Sequence, residues 1–104
     1  MSSPNRGEVW IVDLGLAGKV RPALVFSVAP AVGDRALVTL VTHTTCPRNS
    51  QFEVAVTARF LKPGVFDTQN IVTVPLAKLV RKIGQLSADQ LVSVEQAVRR
   101  WLSL

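Results

Sequence analysis

Apolar residues in this chain fall in short runs separated by glycine, proline and polar clusters, a strand-and-turn rhythm that changes only in the final segment. Gly7–Asp13, Gly-Glu-Val-Trp-Ile-Val-Asp, is rich in β-branched and aromatic residues and predicts a strand. Leu14–Val20 carries Gly15 and Gly18 and predicts a turn or short loop. Arg21–Val28 is a nearly continuous apolar run, the pattern of a strand buried on both faces, with Pro22 placed near its start or on an edge. Gly33-Asp34 marks a hairpin turn within Pro30–Arg35, and Ala36–His43 follows as a third strand, with a polar loop over Thr44–Ser50. Gln51–Thr57 alternates, with Phe52, Val54 and Val56 on one side, which predicts a half-exposed antiparallel strand. Pro63-Gly64 is a turn signal, and Val65–Val74 predicts one or two further strands broken near Gln69-Asn70.

The last segment has a helical period. Ser87-Ala88-Asp89-Gln90 reads as a capping box, and Leu91, Val94, Val98 and Leu102 then recur on one face. Asp89 suits the positive N-terminal end of the helix dipole, and Arg99 and Arg100 suit the negative end. The spacing predicts an amphipathic helix from about Ser87 to Leu102. The expected fold class is therefore mainly β with a C-terminal α-helix: four to six short antiparallel strands closed by the helix into a small β-barrel.

Composition narrows the class. The 104 residues suit one domain over 1–104, and 48% hydrophobic against 18% charged residues excludes intrinsic disorder. A single Cys and a single His exclude an internal disulfide and a four-ligand zinc site, so no metal or cofactor is expected. No apolar run approaches the ~20 residues of a membrane span. The stretch Met1–Glu8 lacks the apolar core of a signal peptide, so a cytoplasmic domain with no membrane partner is expected. Net charge is +5, with seven bases against three acids after Thr57, which favours an anionic partner such as nucleic acid. No run of five like charges occurs, so any anion-binding surface must be assembled by folding.

Five segments in order carry a family resemblance. Arg6-Gly7-Glu8-Val9-Trp10 resembles the opening strand of the MazF/PemK-like toxins, and Arg21-Pro22-Ala23-Leu24-Val25 resembles their Arg-Pro strand. The third strand ending at Thr42 is similar to their Thr-containing strand end. Gln69-Asn70-Ile71-Val72-Thr73-Val74 and Lys82-Ile83-Gly84-Gln85-Leu86-Ser87 resemble two later segments, so the match is collinear over nearly the whole chain. The resemblance implies a small SH3-like barrel of the MazF/Kid/CcdB plasmid-maintenance type, forming a homodimer. It also implies an endoribonuclease that cuts single-stranded RNA, such as mRNA, at short motifs and is inhibited by a cognate antitoxin protein. By position it implies catalytic roles for Arg21 and Thr42.

The chemistry suits those residue types. RNA supplies its own 2′-hydroxyl nucleophile, so the enzyme needs a proton acceptor, donors for the phosphorane oxygens and a proton for the leaving oxygen. A guanidinium at Arg21 offers a fixed fork of donors to a phosphate, and Thr42 a short, restricted hydroxyl. No carboxylate lies between Asp13 and Arg21, where family members carry one in a longer loop. Gln69 stands where some members have Asp, and Val72 where many have Arg. His43 is the one side chain with an ordinary pKa near neutrality and is the candidate replacement base, although adjacent strand residues face opposite sides. Candidate RNA contacts are Thr44, Arg48 and Asn49 in the polar loop, together with Lys19 and Gln69. Trp10, Phe26, Phe52 and Phe66 are expected in the core, and Lys78, Arg81 and Lys82 on a solvated face. Two other readings stay open: a non-catalytic relative that binds RNA or an antitoxin, and a CcdB-like poison of a protein target.

Overall fold

The structure, a computed structural model, describes residues 3–15 and 19–104, so part of the expected Leu14–Val20 turn lies outside the described residues. Among these residues six strands form one antiparallel sheet. They are β1 Glu8–Asp13, β2 Val20–Val25, β3 Leu37–Thr44, β4 Glu53–Ala55, β5 Val65–Pro75 and β6 Leu79–Gln85, in the spatial order β4-β5-β3-β2-β1-β6. A 3₁₀ turn, Leu76–Lys78, joins the last two strands, and helix α1, Ala88–Leu102, ends the chain. The capping box forms as the sequence predicts: Gln90 N–H donates to Ser87 Oγ (3.2 Å) and Ser87 N–H to Gln90 Oε1 (2.9 Å).

Strand alternation sends side chains into two clusters, one on each face of the sheet. Val9, Leu24, Val41 and Phe66 meet Val94 and Val98 of α1, whereas Trp10, Val12, Ala23, Val25, Val38 and Leu40 pack on the other face with Leu79. Ala23, Leu24 and Val25 are all fully buried, but the strand ends at Val25, and Arg21 and Val28 at the two ends of the apolar run are exposed. β2 is a central strand.

Three elements differ from expectation. β4 is only three residues long, because the Glu53 carboxylate accepts the Arg48 and Ser50 N–H groups and holds the preceding segment as a turn. Val54 and Val56 nonetheless face the helix-side core together. β5 is a single strand without the expected break near Gln69-Asn70: Thr42 pairs with Asp67 and Val41 with Ile71, so the residues between bulge out instead. The sequence pattern does not predict β6. Only Leu79 of this strand is buried, and Val80, Arg81 and Lys82 are all exposed, so it shows no period-two signal.

The sheet also stays open, where a closed barrel was expected, with β4 and β6 as its two edges. The β4–β5 connection bridges the open side by packing rather than by a ladder. Phe60 lies so close to Gly84 of β6 that a Cβ there would fall 2.6 Å from Phe60 Cγ and closer to Cδ1 and Cε1. Among the described residues no helix is long and apolar enough to cross a membrane.

Candidate functional site

Pro22 decides where the sheet opens. Phe26 N–H donates to Thr39 O (2.9 Å), so even-numbered β2 residues direct their N–H groups toward β3. Pro22 has no such donor, and β2–β3 pairing ends one residue earlier, at Ala23–Thr42. Beyond that point lies a groove of about 960 Å³. Its floor is a row across neighbouring strands, His43, Pro22 and Ile11, with Ile11 registered on Pro22 and on Arg81. Arg81, Lys82 and Ile83 of β6 and Phe60 and Lys62 of the β4–β5 connection wall it. Lys19, Val20, Arg21, Thr44, Thr45 and Cys46 form the rim.

Among the described residues five cations line this groove (Lys19, Arg21, Lys62, Arg81 and Lys82) and no carboxylate does. Lys82 is tied to Glu8 Oε2 (3.1 Å), itself a buried carboxylate that accepts from Trp10 Nε1 (3.0 Å) and Asn5 N–H (2.9 Å). Burial alone would raise the Glu8 pKa, but those hydrogen bonds and the Lys82 charge together hold it below the ordinary carboxylate value. The other four cations have no carboxylate within salt-bridge distance among the described residues. Such a surface is built for anions.

His43 is 3% exposed, lines the groove, and has a buried Nε2 with no hydrogen-bond partner among the described residues. Its ring meets the Phe66 ring edge-on with centroids 5.1 Å apart. Gly64 closes against it: a Cβ there would lie 2.8 Å from His43 Cε1 and nearer still to the Thr44 carbonyl oxygen. Desolvation pushes the imidazole pKa below its ordinary 6.5, so the ring is neutral at physiological pH.

The other sequence candidates divide. Arg21, Lys19 and Thr44 line the groove. Thr42 does not; it is 3% exposed, is paired on both sides with Ala23 and Asp67, and donates its hydroxyl to Asn70 O (3.3 Å). The strand simply runs further than expected, and the threonine at its end is Thr44. Arg48 and Asn49 are held away in the Glu53-bound turn, where Asn49 adopts a left-handed φ of 58°, and Gln69 sits exposed at the β5 bulge. None of these three lines the groove. Arg81 and Lys82, expected on a bland solvated face, do line it, as do Phe60 and Lys62. Only the net charge hinted at the lysines and arginines; a lone Phe in a polar loop carries no signal. Among the described residues no three His, Cys, Asp or Glu side chains gather into a metal-holding group.

A family model described as PemK-like, MazF-like toxin of type II toxin–antitoxin systems matches residues 5–102. Among solved structures, the chain is similar to an endoribonuclease in complex with its cognate antitoxin from a mycobacterial species. The identity is 26% over 98% of this chain and 97% of that one, with a TM-score of 0.85. It is likewise similar to the Mycobacterium tuberculosis toxin MazF-mt6, at 30% identity over 93% of this chain and 97% of that one, with a TM-score of 0.78. MazF from Deinococcus radiodurans, 22% identical over all of both chains with a TM-score of 0.86, shares the fold.

Proposed function

The chain belongs to the PemK-like, MazF-like toxin family of type II toxin–antitoxin systems, and from that premise we propose that it is an endoribonuclease cleaving single-stranded RNA in the five-cation groove. The observation that carries the reading is the meeting of Arg21, Thr44 and His43 in one groove free of carboxylates. RNA enters as a polyanion, and its phosphates replace the missing counter-ions. The neutral His43 imidazole accepts the 2′-hydroxyl proton at Nδ1, because Nε2 is sealed in the interior; the 2′-oxygen bonds to phosphorus and the bond from phosphorus to the 5′-oxygen breaks. Arg21 holds the non-bridging oxygens through two N–H donors, and Thr44 donates a hydroxyl to the same charge as it develops. Water at the open groove protonates the leaving 5′-oxygen. The products are a 2′,3′-cyclic phosphate and a 5′-hydroxyl.

Thr44 thus takes the place that Thr42 holds in the sequence reading. A cognate antitoxin with an acidic segment is the proposed inhibitor, supported by the relative solved with its own antitoxin and by the groove's charge. A cytoplasmic homodimer completes the proposal.

Cleavage in EDTA tests the function. Wild type should cut long single-stranded RNA at a recurring short motif, leaving 2′,3′-cyclic phosphate ends. Arg21→Ala should be slower by a hundredfold or more, the effect of losing roughly 3–4 kcal/mol of transition-state stabilisation. No cleavage of varied RNAs by folded wild type would replace this reading with that of a non-catalytic RNA- or antitoxin-binding relative.

A further inference from the structure

Besides His43, Phe60 is the one aromatic side chain among the described residues lining the groove, and the chemistry above gives it no task. Its ring is fixed. It packs on the helix-side core and against the bare Cα of Gly84, a contact that any side chain at that position would block. The turn that presents it is closed by Leu61 N–H donating to Ala58 O (3.1 Å). Ile83 and Ile11 add apolar surface to the same groove, and Lys62, Arg81 and Lys82 add positive charge to it. A rigid aromatic sharing one groove with aliphatic surface and cations matches one ligand shape: a flat unpaired base carried on a phosphate backbone.

We propose that Phe60 is the stacking platform for a single nucleobase of the bound RNA, seating the strand so that its scissile phosphate lies at Arg21. This rests on the endoribonuclease reading and adds a specificity-determining residue to it. Stacking accepts every base but favours the larger purine face, so the position of the motif that meets Phe60 should lean toward purines. Phe60 then acts on strand binding and on the choice of cleavage site, and leaves proton transfer untouched.

The test uses an RNA that wild type cuts, made uncleavable by a 2′-deoxy sugar at the cleavage site, with one base at a time removed to leave an abasic nucleotide. Affinities are measured for wild type, Phe60→Leu and Phe60→Tyr by fluorescence anisotropy. At one nucleotide, removing the base should weaken wild-type binding roughly five- to a hundredfold. The same removal should cost Phe60→Leu almost nothing, since the platform is already gone. Phe60→Tyr, which keeps the ring, should behave as wild type. If base removal costs wild type and Phe60→Leu equally at every nucleotide, the platform is refuted while the nuclease stands. If wild type cuts no RNA, the endoribonuclease reading falls first and this inference with it. A merely structural role for Phe60 would weaken binding of every abasic RNA by one common factor, which also refutes the proposal.

Discussion

Thr42 and Thr44 share one face of β3, and what separates them is the ladder. Thr42 is enclosed by strands on both sides, whereas Thr44 lies past the last β2 pair and opens onto the groove. Thr44→Val should therefore lower kcat at least tenfold, and Thr42→Val should leave it within about twofold while costing ~1 kcal/mol of stability for the lost bond to Asn70. Steady-state cleavage and urea melts separate the two effects. His43 makes a prediction with a definite sign. The unfolded chain takes up the imidazole proton near 6.5, and the folded chain only at lower pH. Stability contributed by the neutral ring is thus present above 6.5 and falls as pH drops from there through the folded-state pKa. Cleavage should lose rate over the same acid range as the acceptor fills. His43→Gln should flatten that part of the stability profile and remove most of the activity; an unchanged pH–rate curve would count against the acceptor role.

The elements behind the groove depend on two close approaches. Gly64→Ala should push the β4–β5 connection off His43 and Thr44, destabilising the fold by ~1–3 kcal/mol in thermal melts and slowing cleavage together. The helix and the central strands were legible in the sequence because their signals are local. The capping box lies within four residues, and the run Ala23-Leu24-Val25 is buried on both faces. The groove was half legible. Arg21 and Pro22 stand out as a motif, but β3 ends at Thr44 rather than His43, and it is Thr44 rather than Thr42 that lines the groove. β6 was invisible since an edge strand with exposed Val80, Arg81 and Lys82 has no alternation to read. Phe60 was invisible for another reason. Its partner, Gly84, lies far along the chain, and only the tertiary fold brings the two together.

At the scale of the whole molecule, the net charge of +5 resolves into a local arrangement: five cations face one groove, and among them Lys82 is anchored by the Glu8 network. Binding of single-stranded RNA should weaken steeply with salt. If all five meet phosphates, a plot of log affinity against log salt should slope by about −3.5, and Lys62→Ala should reduce that slope by about 0.7. A salt-independent affinity would place the RNA elsewhere. Arg81 has a second effect that follows from the sheet's openness. β6 is an edge, and an edge offers its unsatisfied backbone to any passing strand. The uncompensated charge of Arg81, beside a Lys82 already paired with Glu8, repels the same edge of another copy and so keeps concentrated toxin dispersed. A descendant of this chain that lost its nuclease would still need it, for colloidal reasons alone.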